Sequence, residues 1–188
     1  MLRDASGVRT LLVKKRPHEV LVYGHDGERG FVVENGSVKG GVEAEEEGYY
    51  RAHGEYYLRA IPFKWADPGV VVTSRGREAS GLLLLEIRAR DGVGRDFRDV
   101  WVAAIDAETY LLREARLTHR GEHRVIYRYG DYRAIGDLMF PFRLEYLSEG
   151  GVAGSDPHKT GENVIRSFDL SVGLTPSLFS PEAHRSVP

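Results

Sequence analysis

Apolar and polar positions alternate with period two along most of this chain, the pattern of strands buried on one face. Val8 to Lys15, His18 to Tyr23 and Gly30 to Gly36 read as three successive strands. Arg16-Pro17 and the segment GHDGERG separate them with the Pro and Gly that turns need. In Leu82 to Arg90, Leu83, Leu85, Ile87 and Ala89 take one face, and Leu82, Leu84, Glu86, Arg88 and Arg90 the other. Asp99 to Asp106, Thr109 to His119, His123 to Ile135, Leu138 to Tyr146 and Asn163 to Gly173 continue the pattern. Turns are expected at Ala107-Glu108 and at Arg120-Gly121-Glu122. The Gly-rich stretch Gly150 to Gly161 reads as a polar loop.

The expected fold is therefore mainly β, roughly nine or ten antiparallel strands forming a barrel, half-barrel or sandwich. Helix is scarce in this reading. Glu43 to Gly48 is expected to be an acidic, solvated loop. The one helix placed is Glu55 to Ile61, where Tyr57, Leu58 and Ile61 share a face before Pro62 breaks the pattern. The segment YYLRAIPFKWADPGVVV, Tyr56 to Val72, is unusually apolar for a connection. Tyr57 to Trp65 is expected to cover the open side of the sheet as a lid or plug, Asp67-Pro68-Gly69 to turn, and Val70 to Thr73 to rejoin the sheet. No repeat or linker divides residues 1–188, so a single domain is expected.

Composition narrows the function classes. A net charge of −2 supplies no global field for nucleic acid or anionic membrane. The basic cluster Lys14, Lys15, Arg16 and the aromatic-interleaved Arg128, Tyr129, Tyr132, Arg133 read as exposed strand positions, so no nucleic-acid partner is expected. The 188 residues include no cysteine, which removes disulfides, thiol catalysis and Cys-ligated metals. The longest aliphatic run, Gly81 to Ile87, is far shorter than the ~20 residues of a spanning helix. His119 and His123 flank Glu122 on a hairpin rather than a helix face, a solvated turn more readily than a metal site. No nucleophile elbow or dinucleotide fingerprint is found. The expectation is a non-enzyme with no catalytic residue, no metal and no cofactor.

Two groups of segments carry a family resemblance. Leu11 to Val38, LLVKKRPHEVLVYGHDGERGFVVENGSV, resembles the early strands of the outer-membrane lipoprotein carrier (LolA/LolB-like) superfamily, with a strand ending in Lys-Arg-Pro and a hairpin closing at Glu34-Asn35-Gly36. YYLRAIPFKWADPGV, VWVAAIDAETYLLREA, YGDYRAIGDLMFPFRLEY and LTPSLFSP resemble the wider group of uncharacterised outer-membrane lipoprotein-sorting domains. The resemblance implies an incomplete antiparallel half-barrel with one or two short lid helices around an apolar cavity. In the carriers that cavity holds lipoprotein acyl chains crossing the periplasm. Relative to the family, the chain lacks the N-terminal helix and first strand, has Lys39 in place of a tryptophan, and has no N-terminal cysteine. The resemblance implies a periplasmic or envelope location, while no secretory signal follows Met1. The natural reading frame is therefore expected to extend upstream of Met1, or the chain to have been trimmed.

The expected function is binding or transport of an apolar ligand, an acyl chain of a lipid or lipoprotein, with room for peripheral contact with a membrane or membrane protein. Tyr57, Phe63, Trp65, Trp101, Tyr127, Phe140 and Phe142 are the expected lining of cavity and lid. Arg16 falls on the family's arginine that ties lid to barrel; by the residues alone the commoner case, a solvated arginine beside two lysines, stands slightly ahead. The alternative is a filled-core interaction domain that works through an exposed sheet edge or as a homodimer.

Overall fold

The computed structural model describes residues 3–4, 7–91, 98–119, 123–148, 157–167 and 175–185. The chain divides into two compact units, Met1–Ala60 with Asp169–Pro188, and Ile61–Phe168. It is mainly β, built on open antiparallel sheets.

In the first unit, β1 (Arg3–Asp4) and β2 (Gly7–Val8) form a minimal hairpin. β3 (Thr10–Arg16), β4 (Glu19–His25), β5 (Gly30–Glu34) and β6 (Ser37–Lys39) follow as a four-stranded meander. The expected turns hold. Asp26 closes one by accepting the backbone N–H groups of Glu28 and Arg29, both at 2.8 Å. Asn35 and Gly36 close the other with φ of 48° and 80°, the positive pair that a two-residue hairpin of matching twist requires.

Helix α1 (Val42–Lys64) corrects two expectations. The acidic stretch Glu43 to Gly48 is its beginning, not a loop, and the helix is long rather than a short lid. Glu43 and Glu45 lie in the first turn, where the helix dipole favours negative charge. Glu47–Arg51 (3.6 Å) and Glu55–Arg59 (2.7 Å) are i,i+4 pairs with the acid N-terminal, the favourable order. Pro62 does not break the helix at Ile61: it lies two residues from the end, where removing one N–H costs the ladder little.

The buried stripe of α1 in this unit is made of small residues. Ala52 is buried with Tyr23 and Val32, and Ala44, Leu12 and Leu21 pack on that cluster. Gly30 and Gly48 allow the closest approach. A Cβ on Gly48 would stand 2.3 Å from the Phe31 carbonyl oxygen, and one on Gly30 would stand 1.9 Å from that of Glu45. The opposite face of the sheet holds Val22, Phe31 and Val33, with Leu11 and Val38 beside them. There the Phe31 ring stacks on His184 at 6.3 Å, in the second of two short 3₁₀ turns, Pro176–Phe179 and Pro181–His184.

The second unit is one seven-stranded meander: β7 (Val70–Arg77), β8 (Leu82–Ala89), β9 (Val100–Asp106), β10 (Leu112–His119), β11 (His123–Ile135), β12 (Leu138–Ser148) and β13 (His158–Val164). Strands pair in chain order, so β7 and β13 are the edges and the sheet is open among the described residues. The last strand is displaced from its expected place. It begins at His158, inside the predicted polar loop, and ends at Val164. The remainder of the expected strand, from residue 168, and the turn at 120–122 lie outside the described residues. The pairing of His119 with His123 supports the expected hairpin.

Candidate functional site: the aromatic face of the seven-stranded sheet

Register assigns the two faces of this sheet. Leu85, Ala103, Ala115, Tyr127 and Tyr146 pair in one row, and Ile87, Trp101, Leu117 and Val125 in the next. Side chains on one face recur every second residue, so Phe140, Phe142 and Leu144 join Tyr146 there. Trp101, Ala103, Ala115, Tyr129, Phe142 and Leu144 are buried.

Aromatic rings run across three strands of this face. Trp101 and Tyr127 lie 5.8 Å apart at 30°, and Tyr127 meets Tyr146 edge-on at 5.6 Å. Asn163 Nδ2 on β13 donates to the Tyr146 hydroxyl at 2.7 Å, satisfying the polar end of the row. Ala103 and Ala115 stand between Leu85 and Tyr127, so small side chains form the middle of the face. Toward the β11–β12 hairpin, the Arg133 guanidinium covers the Phe142 ring at 4.5 Å and is paired with Asp131. Tyr132 donates its hydroxyl to the Leu112 carbonyl at 2.6 Å, and burial pushes its phenol well above the ordinary value of 10.0.

The opposite face is a lattice of ion pairs. Glu86 is held by Arg88 (2.7 Å) and Arg75, which lower its pKa. Glu114 accepts from Arg116 (2.6 Å) and Arg128 (2.9 Å). Lys159 bonds both Glu145 and Glu162 at 2.9 Å, with Arg143 on the same two acids, and both carboxyls are held below the usual range. Exposed pairs of this kind contribute little stability singly. Their placement puts most of the charge of the sheet on this face, beside the buried Ile126 and Leu147, and the row Trp101, Tyr127 and Tyr146 on the other.

Four of the seven expected lining residues, Trp101, Tyr127, Phe140 and Phe142, thus share one face. Tyr57 belongs to the first unit and is half-buried on α1. Phe63 is 52% exposed in the last turn of α1. Trp65 is half-buried just after it, and its indole N–H is buried without a hydrogen-bond partner among the described residues. Arg16 is exposed, and its guanidinium donates to Glu19 at 2.9 Å across the Pro17-His18 turn.

Tyr146, Ala103 and Ala115 belong to the face and are absent from the expected lining. Tyr146 is legible in the period of Phe140, Phe142 and Leu144; the alanines carry no signal of their own. No group of three potential metal ligands occurs among the described residues, and His119 faces Asp99 at 2.7 Å. In the first unit a shallow depression of about 370 Å³, lined by Val20, Asn35, Gly36, Ala183, His184 and Arg185, holds a single imidazole and no carboxylate. No helix among the described residues is long and apolar enough to cross a membrane. Comparison with family models, curated proteins and solved structures finds no match to this chain.

Proposed function

We propose that the protein is a non-enzymatic binder of an apolar ligand, an acyl chain of a lipid or lipoprotein of the cell envelope, held on the aromatic face of the seven-stranded sheet. The observation that supports this reading is the placement of Trp101, Tyr127, Phe140 and Phe142 on one face of the sheet, together with Leu85, Leu144 and Tyr146. A methylene chain needs contact area rather than directed polar groups, and rings and aliphatic side chains on one face supply that area. The open meander also accords with a half-barrel of the lipoprotein-carrier type.

The energetics set a demand. At ~0.8 kcal/mol per buried methylene, about ten methylenes supply roughly 8 kcal/mol, which corresponds to micromolar affinity before the cost of association. Delipidated protein should therefore take up a fluorescent long-chain fatty acid saturably, with unlabelled fatty acid competing and short-chain acids failing to compete. Uptake that rises linearly with probe, with no competition, would end the proposal.

A further inference from the structure

Edge strands invite pairing with another chain, and proteins blunt them with charge, brevity, proline or bulges. Three of the four edges of the two larger sheets carry such protection. β3 ends in Lys14, Lys15 and Arg16. β6 is three residues long and carries Lys39. β13 presents His158, Lys159 and Glu162.

β7 is protected only in its second half, by a bulge between Ser74 and Gly76 and by Arg75 and Arg77. Its first half, Val70 to Thr73, has no charge, no proline and no register shift, and Val71 and Val72 are 40% and 43% exposed. Three consecutive valines at an open edge are the opposite of a guard.

The geometry points to β7 as a homodimer interface, in which β7 of a second copy pairs antiparallel about a two-fold axis through Val72. The Gly69 carbonyl accepts Arg90 N–H and so faces β8. Antiparallel alternation then turns the backbone groups of Val72 and Ser74 and the carbonyl of Val70 away from β8. Centring the axis on Val72 lets each Val72 bond the other. Each Ser74 N–H meets the Val70 carbonyl of the second copy, while the Val70 N–H stays with the Asp67 carbonyl of its own turn.

The same antiparallel arrangement brings the Arg77 end of β7 toward the turn that precedes β7 in the second copy. Arg77 has no acidic partner among the described residues, and it is brought toward Asp67 of the second copy, at present paired only with Lys64. Val70 and Val72 pair with Ala89 and Ile87, which puts them on the aromatic face. The dimer therefore continues that face from one copy into the next, a self-complementary interface of the closed two-fold kind.

Sedimentation velocity of the full chain across a dilution series should show a monomer–dimer equilibrium. Val72→Lys, at an exposed site, should shift it to monomer while circular dichroism and melting temperature stay at the parent values. A second variant probes the register. The parent has no cysteine, so Val72→Cys introduces one thiol per chain. Paired residues of a hydrogen-bonded antiparallel site lie ~5.5 Å apart at Cα, within disulfide range. Mild oxidation should link it into a covalent dimer, whereas Val164→Cys on β13, 55% exposed, should stay monomeric. A monomer at every concentration, a dimer untouched by Val72→Lys, or equal linking of both cysteine variants overturns the assignment.

Discussion

Replacing Gly48 with alanine sets helix propensity against packing, and the structure decides between them. Alanine is favoured over glycine in a helix interior by about 1 kcal/mol, so propensity alone makes Gly48→Ala stabilising. The added Cβ, however, would meet the Phe31 carbonyl oxygen, nitrogen and carbon at 2.3, 2.4 and 2.6 Å. These are backbone atoms of a paired strand and cannot rotate aside, so α1 must lift from β5 and open the cluster of Tyr23, Val32 and Ala52. Overpacking of this kind costs roughly 3 kcal/mol at the upper end of its range, leaving a net loss of about 2 kcal/mol. Gly54, in the same helix, has nothing within 4 Å of its would-be Cβ. Gly54→Ala should therefore gain about 0.5–1 kcal/mol. Urea denaturation followed by far-ultraviolet circular dichroism should show the two midpoints moving in opposite directions, with equal slopes. A midpoint for Gly48→Ala above the parent, alongside Gly54→Ala, would refute the close helix–strand approach.

Tyr132→Phe removes the donor to the Leu112 carbonyl and should destabilise by roughly 1–2 kcal/mol in the same assay. Its phenol is raised in the folded state, so its contribution is fully present below the ordinary value of 10.0 and is lost as pH rises above it; a thermal-melt series should show a shallower alkaline decline in Tyr132→Phe than in the parent.

What the sequence made legible follows from how each element is buried. β8 alternates leucines and isoleucine against Glu86 and Arg88, and its two faces are those the alternation assigned. The Asn35-Gly36 turn was readable because positive φ favours those residues. The first half of α1 was not, because its buried stripe is Ala44, Gly48 and Ala52. Residues that small give no apolar period, and the glutamates around them read as solvated loop. β13 escaped for the related reason that an edge strand stabilised by Lys159, Glu162 and Asn163 has Val164 as its one apolar side chain.

The site was legible through its rings and illegible through its gaps. Aromatic residues in strands drew attention to Trp101, Tyr127, Phe140 and Phe142, but only cross-strand register sets them on one face with Ala103 and Ala115. Arg16 shows the converse. A family resemblance assigned it a distant role, while Glu19, three residues on across a proline turn, lay within reach.

The chain has two tryptophans, so Trp65→Phe leaves Trp101 as the single reporter on the aromatic face. A fatty acid brominated along its chain quenches indole emission on contact. Titrated into delipidated Trp65→Phe protein, it should quench Trp101 saturably in the micromolar range, and the unbrominated acid should reverse the effect. Saturable uptake that leaves Trp101 emission unchanged, or no saturable uptake, would contradict the assignment of this face as the ligand site.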